Sequence, residues 1–319
     1  MLQNNNLTNH PLVSFIITAY NVSAERLTEC ISSVLNLSLR VAEREIIVVD
    51  DGSKNCTISE MMDISDSIIY IRKPNGGTGS ARNLGLKVAS GDYIQFVDGE
   101  DKLLSEAYEH CIDVVRYYSP DIVMFNYGPE NSGKNDYEGE EPVEGVEYLK
   151  HNSLESNPWG YVFSSKILLD LRFDTDSYSD NEKFTTLLFL RADKIFSTSA
   201  VAYCNRRKKE KVDRKDKKTI IRRLDDALLI IVKLHDMSDT MATNDRIALQ
   251  RRVAQLTMNY ILNTIRWTRS AKQLETRVAH LEDLGLFPLP NRNYSKKYML
   301  FNKLSRSSVV RKVLLKMLG

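Results

Sequence analysis

The sequence has little cysteine: four residues in 319, Cys30, Cys56, Cys111 and Cys204, far apart and without a CxxC pair. That spacing excludes a compact zinc site and a disulfide framework, and it fits a reducing cytosol. Long apolar runs are missing as well, so no segment reaches the length that spans a bilayer. The start, MLQNNNLTNH, has neither the basic residues nor the apolar core of a signal peptide, and the expected location is cytoplasmic. Net charge is nearly absent: 44 Lys and Arg against 42 Asp and Glu leave +2, too little for nucleic acid to be the main partner. What remains, 42% hydrophobic and 27% charged residues, is an ordinary globular composition, enough for one large domain and a smaller one.

The near-neutral sum hides an asymmetry. After Asp283 no acidic residue occurs, while Arg292, Lys296, Lys297, Lys303, Arg306, Arg311, Lys312 and Lys316 do. Within this tail Val310, Val313, Leu314, Met317 and Leu318 share one helical face. A basic amphipathic helix over residues 296–319 fits peripheral contact with an anionic membrane surface, on the inner face of the cell membrane. The same pattern also fits a terminal helix docked on its own domain or on a second subunit of a homodimer.

Hydrophobic periodicity gives the rest of the organisation. Short β-branched runs, VSFIITAY, EIIVVD, SIIYIRK, DYIQFVD and DIVMFNYG, alternate with helical patterns, including AERLTECISSVLNL, GSARNLGLKVAS and EAYEHCIDVVRYY. A further short helix is expected near 57–64. Such alternation predicts a mostly parallel sheet with flanking helices. NPWGYVFSSKILLDL reads as a loop ahead of a short helix, SDNEKFTTLLFLRADKI as a helix, and IFSTSAVAYCNR as a last strand. A polar loop at 129–145 and a charge-dense linker at 206–218 interrupt the pattern, and beyond the linker the chain is helical. The expected division is a flexible tail at 1–12, an α/β domain at 13–208 and a helical region at 209–319.

In open α/β sheets, ligands bind beyond the carboxyl ends of the strands. Three such ends carry short polar residues and carboxylates: Thr18, Ala19, Tyr20 and Asn21; Asp50, Asp51, Gly52 and Ser53; and Asp98, Gly99, Glu100 and Asp101. Asp98 and Glu100, separated by glycine, are a ligand set for Mg²⁺ or Mn²⁺, which take oxygen donors and commonly one or two carboxylates, with phosphate and water completing the shell. NGGTGSARNLG at 75–85 is not a dinucleotide-binding fingerprint. The sixth position counted from Gly77 is Arg82, and the loop follows the third strand rather than the first. It reads instead as a glycine-rich entry to a helix, with Arg82 placed to reach a phosphate or a base.

The four segments SFIITAYN, EIIVVDDGS, NGGTGSARNLG and DYIQFVDGED, in this order and spacing, resemble the N-terminal half of family 2 glycosyltransferases with the GT-A fold. The resemblance is strong over residues 13–104 and weak over 158–206. It implies inverting transfer of a sugar from a nucleotide-diphosphate donor, a UDP-sugar, to an acceptor hydroxyl of a growing or lipid-linked glycan, with a DxD-type site for Mn²⁺ or Mg²⁺. By position, Tyr20, Asn21, Asp50 and Asp51 are expected at the base and ribose. Ala19, Gly76, Gly77, Arg82 and Gly99 belong to the donor pocket, and Asp98 and Glu100 take the DxD places. Trp159 falls where the family often has an aromatic near the acceptor, although a lone Trp at a helix start is more often core packing.

The chain departs from the family pattern twice. Glu100 stands where the second metal position is usually aspartate. The family's catalytic base is the Asp of a Glu-Asp pair three residues before an aromatic, and registering on Phe184 puts Asp180 and Asn181 there. An amide cannot accept the proton, so Asp180 or Glu182 takes the role, or the chain is a degenerate sugar-nucleotide-binding protein. Asp180 is expected to begin a helix, whose dipole favours a carboxylate. A nucleotidyltransferase would show a glycine- and lysine-rich loop after its first strand, which TAYNVSAERL lacks.

Overall fold

The computed structural model describes residues 10–55, 62–130, 141–175, 177–206 and 216–318. Most of the expected N-terminal tail, residues 57–61 of the helix expected near 57–64, the centre of the 129–145 loop and most of the 206–218 linker lie outside these residues. The chain forms two compact units. The first takes residues 1–145, 157–176 and 191–208; the second takes 146–156, 177–190 and 209–319.

The first unit is built on an eight-stranded sheet. Its strands are β1 (Val13–Ala19), β2 (Arg44–Asp50), β3 (Ile69–Arg72), β4 (Tyr93–Asp98), β5 (Lys102–Leu103), β6 (Ile122–Gly128), β7 (Tyr161–Ser164) and β8 (Ile195–Cys204), in the order β3-β2-β1-β4-β7-β6-β8-β5. β3, β2, β1 and β4 run parallel, with Ile17 opposite both Val48 and Val97. Every residue of β1 is buried, as the central strand of a sheet covered on both faces requires, so its sequence is continuously apolar rather than alternating. One face packs on α1 (Ala24–Leu35) and α3 (Ser105–Tyr118), through Leu27, Ile31, Val34, Tyr108 and Ile112. The other meets α2 (Gly77–Val88). There Gly85 lies so close to Ile16 that a Cβ would stand 2.2 Å from its Cγ2, so only glycine lets α2 settle on β1.

The segment read as a loop and short helix, 157–171, contains a strand instead. A 3₁₀ turn at Pro158–Gly160 leads into β7, which inserts antiparallel between β4 and β6, pairing Ile94 with Phe163 and Val123 with Val162. Its four buried residues are too few to show a period, and both partners are distant in sequence. Trp159 is core: its ring stacks on Tyr203 at 4.6 Å, and Tyr127 meets it edge-on.

The second unit is helical: α4 (Gly145–His151), α5 (Asp180–Leu190), α6 (Lys217–Asp239), α7 (Thr243–Thr268), α8 (Ala271–Asp283), α9 (Lys296–Ser305) and α10 (Ser308–Leu318). Two adjacent buried arginines of α7 hold its separate segments together. Arg251 donates to the carbonyls of Leu149 and Asn152, both at 2.6 Å, satisfying the open C-terminal end of α4. Arg252 donates to the Leu154 carbonyl at 2.7 Å, to Ser156 Oγ and to Glu182 on α5. α10 packs on α7, α8 and α9, and Arg311 pairs with Glu275 of α8 and donates to the Ser305 carbonyl.

Candidate active site

The carboxyl ends of β1, β2 and β4 converge, with the start of α2, on one hollow of about 50 Å³. Thr18, Ala19 and Tyr20 line it from β1, Asp51 from β2, Asp98, Gly99 and Glu100 from β4, and Thr78 and Ala81 from α2. Ala19, Tyr20, Asp51, Asp98, Gly99 and Glu100 are thereby brought together as the strand-end pattern implies. Asn21, Asp50, Gly76, Gly77 and Arg82 stand around them without lining the hollow.

Each of these surrounding residues has a definite job. Asn21, in the left-handed region at φ 54°, receives the Lys54 amide on Oδ1 and donates its own amide to Ser53, tying the ends of β1 and β2 together. Asp50 is buried and accepts from the Ser53 amide at 2.8 Å and the Tyr70 hydroxyl at 2.7 Å, with Arg72 at 3.6 Å. Burial pushes its carboxyl up, but the hydrogen bonds from Ser53 and Tyr70 and the charge of Arg72 outweigh that and hold it below the usual carboxylate range. Asp51 accepts from the amides of Gly76 (2.9 Å) and Gly77 (2.8 Å) and pairs with Lys73 at 2.6 Å. The anion-binding end of α2 is thus closed by a carboxylate of the protein itself. Gly52 sits at φ 78° against Asn75, where a Cβ would lie 2.7 Å from the backbone nitrogen, so this turn also demands glycine.

Arg82 is buried rather than directed into the hollow. Its guanidinium lies over the rings of Phe96 and Phe173, at 5.6 and 5.4 Å, and reaches Asp98 Oδ1 at 3.1 Å. It therefore orients Asp98 and offsets its charge. The three carboxylates after β4 divide in function. Asp98 and Glu100 face the hollow, whereas Asp101 is fully buried and accepts from the Tyr203 hydroxyl and the Arg206 amide, fastening the end of β8. Nothing in the local sequence separates Asp101 from its neighbours, because its partners lie a hundred residues on.

No group of three or more His, Cys, Asp or Glu able to hold a metal ion occurs among the described residues. The pair Asp98 and Glu100, beside one another on the rim, fits a hard cation of the kind held by one or two carboxylates and completed by phosphate and water.

Asp180 and Glu182 belong to the second unit, on the first turn of α5. Asp180 is mostly buried, and its Oδ1 accepts from the Asn181 amide at 2.8 Å. Glu182 is held by Arg252 and by the Ser156 hydroxyl. The only trace of that ion pair in the sequence is an arginine pair interrupting the apolar pattern of α7.

A mixed sheet with flanking helices and a polar rim at its parallel strand ends defines an α/β domain of the kind that binds ligands at that rim. The chain matches Glycosyl transferase family 2 over residues 14–177, about half its length, and belongs to that family. It is 32% identical over 203 residues to EpsJ of Bacillus subtilis, an uncharacterized glycosyltransferase, covering 58% of each chain. It is 26% identical over 222 residues to the glycosyltransferase GlyA of Streptococcus pneumoniae, covering 63% of this chain and 31% of GlyA. The matches thus span between about a third and three fifths of these curated relatives. Among solved structures, residues 1–349 of Staphylococcus aureus TarS in complex with UDP-GlcNAc superpose with a TM-score of 0.65 at 16% identity, over 95% of this chain and 88% of that one. A mannosyltransferase of Pyrobaculum calidifontis in complex with GDP-Man and Mn²⁺ gives 0.58 at 14%, over 97% and 88%. The likeness to both structures establishes the GT-A fold.

Proposed function

We propose that this chain transfers a sugar from a nucleotide-diphosphate donor, a UDP-sugar, to a hydroxyl of a growing glycan, with inversion at the anomeric carbon. The observation that carries this is the convergence of Asp51, Asp98 and Glu100 with Ala19 and Tyr20 around one hollow at the parallel strand ends of a family 2 chain. Half-exposed Tyr20 supplies a face for the base, and Asn21, Asp50 and Ser53 hold the two loops on which base and ribose rest. Asp98 and Glu100 would hold Mn²⁺ or Mg²⁺, which when bound supplies positive charge to the departing diphosphate. Arg82 keeps Asp98 in place for that task. The acceptor hydroxyl loses its proton to a carboxylate and attacks opposite the leaving group.

The base is Asp180. Glu182 is committed to Arg252 and Ser156, whereas Asp180 precedes Asn181, the residue at the family's base position. Asn181 also favours a second possibility, a chain that binds sugar nucleotides without turnover. Thermal-shift screening of UDP- and GDP-sugars with and without Mn²⁺, followed by turnover with a glycan acceptor, decides between them. A Mn²⁺-dependent rise in Tm with a UDP-sugar and product formation are expected. No stabilisation by any nucleotide sugar would remove the donor reading. Stabilisation without turnover, restored by Asn181→Asp, would establish the binding protein.

The acceptor is a polymeric or lipid-linked glycan, in keeping with a relative from Bacillus spizizenii named poly(ribitol-phosphate) beta-glucosyltransferase, 28% identical over 198 residues. No helix of the described residues is long and apolar enough to cross a membrane. On α10, Val309, Val313 and Met317 are exposed one turn apart, Lys312 and Lys316 flank them, and Val310 and Leu314 turn partly inward. This outward strip is the proposed contact with an anionic bilayer, and a homodimer contact is its competitor. In flotation with anionic vesicles, the full chain is expected to float and Val313→Glu/Met317→Glu to stay behind. Equal flotation, or a concentration-dependent dimer lost in the double variant, would replace the membrane with another surface or a second copy.

A further inference from the structure

Helix α7 is buried almost all round: from Arg251 to Ile265, every residue is buried except Asn259 and Asn263. These two stand one turn apart, and Trp267 follows after another turn, so all three lie on a single line of the helix surface. That line opens on a cavity of about 260 Å³ lined wholly by residues of the second unit. Aromatic faces close it: Trp267 at one end, the buried ring of Tyr260, and Tyr178. The Tyr178 ring is fixed by the guanidiniums of Arg222 and Arg223 at 5.3 and 5.2 Å, and the Tyr260 hydroxyl is held by Arg277 at 2.8 Å, so the apolar walls are set in advance. Neither carboxamide has a hydrogen-bond partner within the protein among the described residues. Each offers paired donors and an acceptor, the complement of vicinal hydroxyls.

We infer that this cavity binds one pyranose unit of a neutral glycan, with the carboxamides of Asn259 and Asn263 on its hydroxyls and Trp267 and Tyr178 against its C–H faces. The rest of the lining is aliphatic, from Leu224, Ala227, Ile230, Ile231 and Leu256, with Arg223 and Glu182 as one charge of each sign. A cation set against a carboxylate does not make a phosphate site, and a lipid chain would leave two amides unused; amide, aromatic and aliphatic surfaces together suit a ring that is polar at its edge and apolar on its face. Ser179 and Glu182 line the same cavity on either side of Asp180 and Asn181 in sequence. The bound sugar is then part of the acceptor. Only this last step rests on the glycosyltransferase reading; the binding does not.

The test uses the full chain with methyl β-glucopyranoside, methyl β-galactopyranoside and methyl N-acetyl-β-glucosaminide, binding being followed by saturation-transfer NMR. UDP is titrated in parallel as a probe of the other unit. At least one glycoside is expected to bind. Asn263→Ala and Trp267→Ala should each weaken it by about tenfold, the equivalent of one or two hydrogen bonds or one aromatic contact. UDP affinity should stay within error for both variants, and Tm should stay within error for Asn263→Ala, since Asn263 lies only partly buried at the cavity wall; Trp267→Ala also removes apolar contact and should lower Tm somewhat without touching UDP affinity. Failure of all three glycosides to bind the wild type would overturn the assignment, as would binding that survives both substitutions. Loss of UDP binding by the wild type would instead count against the donor site and leave this one standing.

Discussion

Two clusters of carboxylates, one after β4 in the sheet unit and one at the start of α5 in the helical unit, look alike in sequence and differ in how many donors the fold gives each carboxylate. Asp98 keeps a partly exposed position on the hollow with one oxygen on Arg82, and Glu100 stands beside it. Glu182 likewise meets a buried arginine, Arg252, and takes the Ser156 hydroxyl in addition. A carboxylate at a strand end is open to a ligand when the fold leaves it on a rim with a single donor. Where the fold supplies several donors, as for Glu182 and for Asp101, it serves the structure.

The largest effect expected from breaking this contrast is at Asp98. Asp98→Ala should abolish Mn²⁺-dependent stabilisation by the nucleotide sugar, and Tm without ligand should fall as well, because the variant takes from the buried Arg82 the carboxylate that it meets. Unchanged Mn²⁺-dependent affinity, measured by calorimetry, would remove Asp98 from the metal site. Next comes Asp180→Asn, expected to lower turnover by about 10² with donor affinity unchanged, the usual range for losing a general base. Wild-type turnover in this variant would return the role to another group. Glu182→Gln should behave in the opposite manner. Donor affinity holds, turnover falls less, and stability drops by roughly 1–2 kcal/mol in urea titrations, short of the 3–5 of a fully buried pair because Glu182 is about one third exposed.

The sheet unit was readable from sequence because its chemistry is local. Strand ends, the glycine-rich entry to α2 and the DGE turn each lie within a few residues, and β1, β2, β4 and α2 fall where periodicity puts them. The strand β7 was not, since four residues carry no period, nor was the fate of Arg82, whose burial is decided by Phe96 and by Phe173 ninety residues away. In the helical unit the helical character of the chain beyond the linker was visible. The Arg252–Glu182 pair and the line from Asn259 to Trp267 were not, because both depend on which side of α7 the other helices cover. The tail shows the same limit: its amphipathic pattern was plain, but Arg311, counted with the exposed charges, is buried on Glu275.

The smallest expected effect concerns Asp50, which stabilises the rim without touching its hollow. Its carboxyl lies below the ordinary range in the folded chain, so its contribution is fully present above the unfolded value of about 3.9 and is lost as pH falls through the lower folded value. Asp50→Asn keeps an acceptor for the Ser53 amide but removes the charge that draws Tyr70 and Arg72. The variant should therefore be less stable than wild type at pH 7 by about 1 kcal/mol, the scale of one charge-assisted hydrogen bond. The gap should close as the solution is acidified below pH ~4, because the wild type alone takes up this proton on acidification. Urea midpoints for both proteins at pH 7, 5, 4 and 3 give the comparison. A gap that stays constant with pH would mean that Asp50 acts by shape and not by charge, and that the loops carrying Asn21 and Ser53 are held by packing alone.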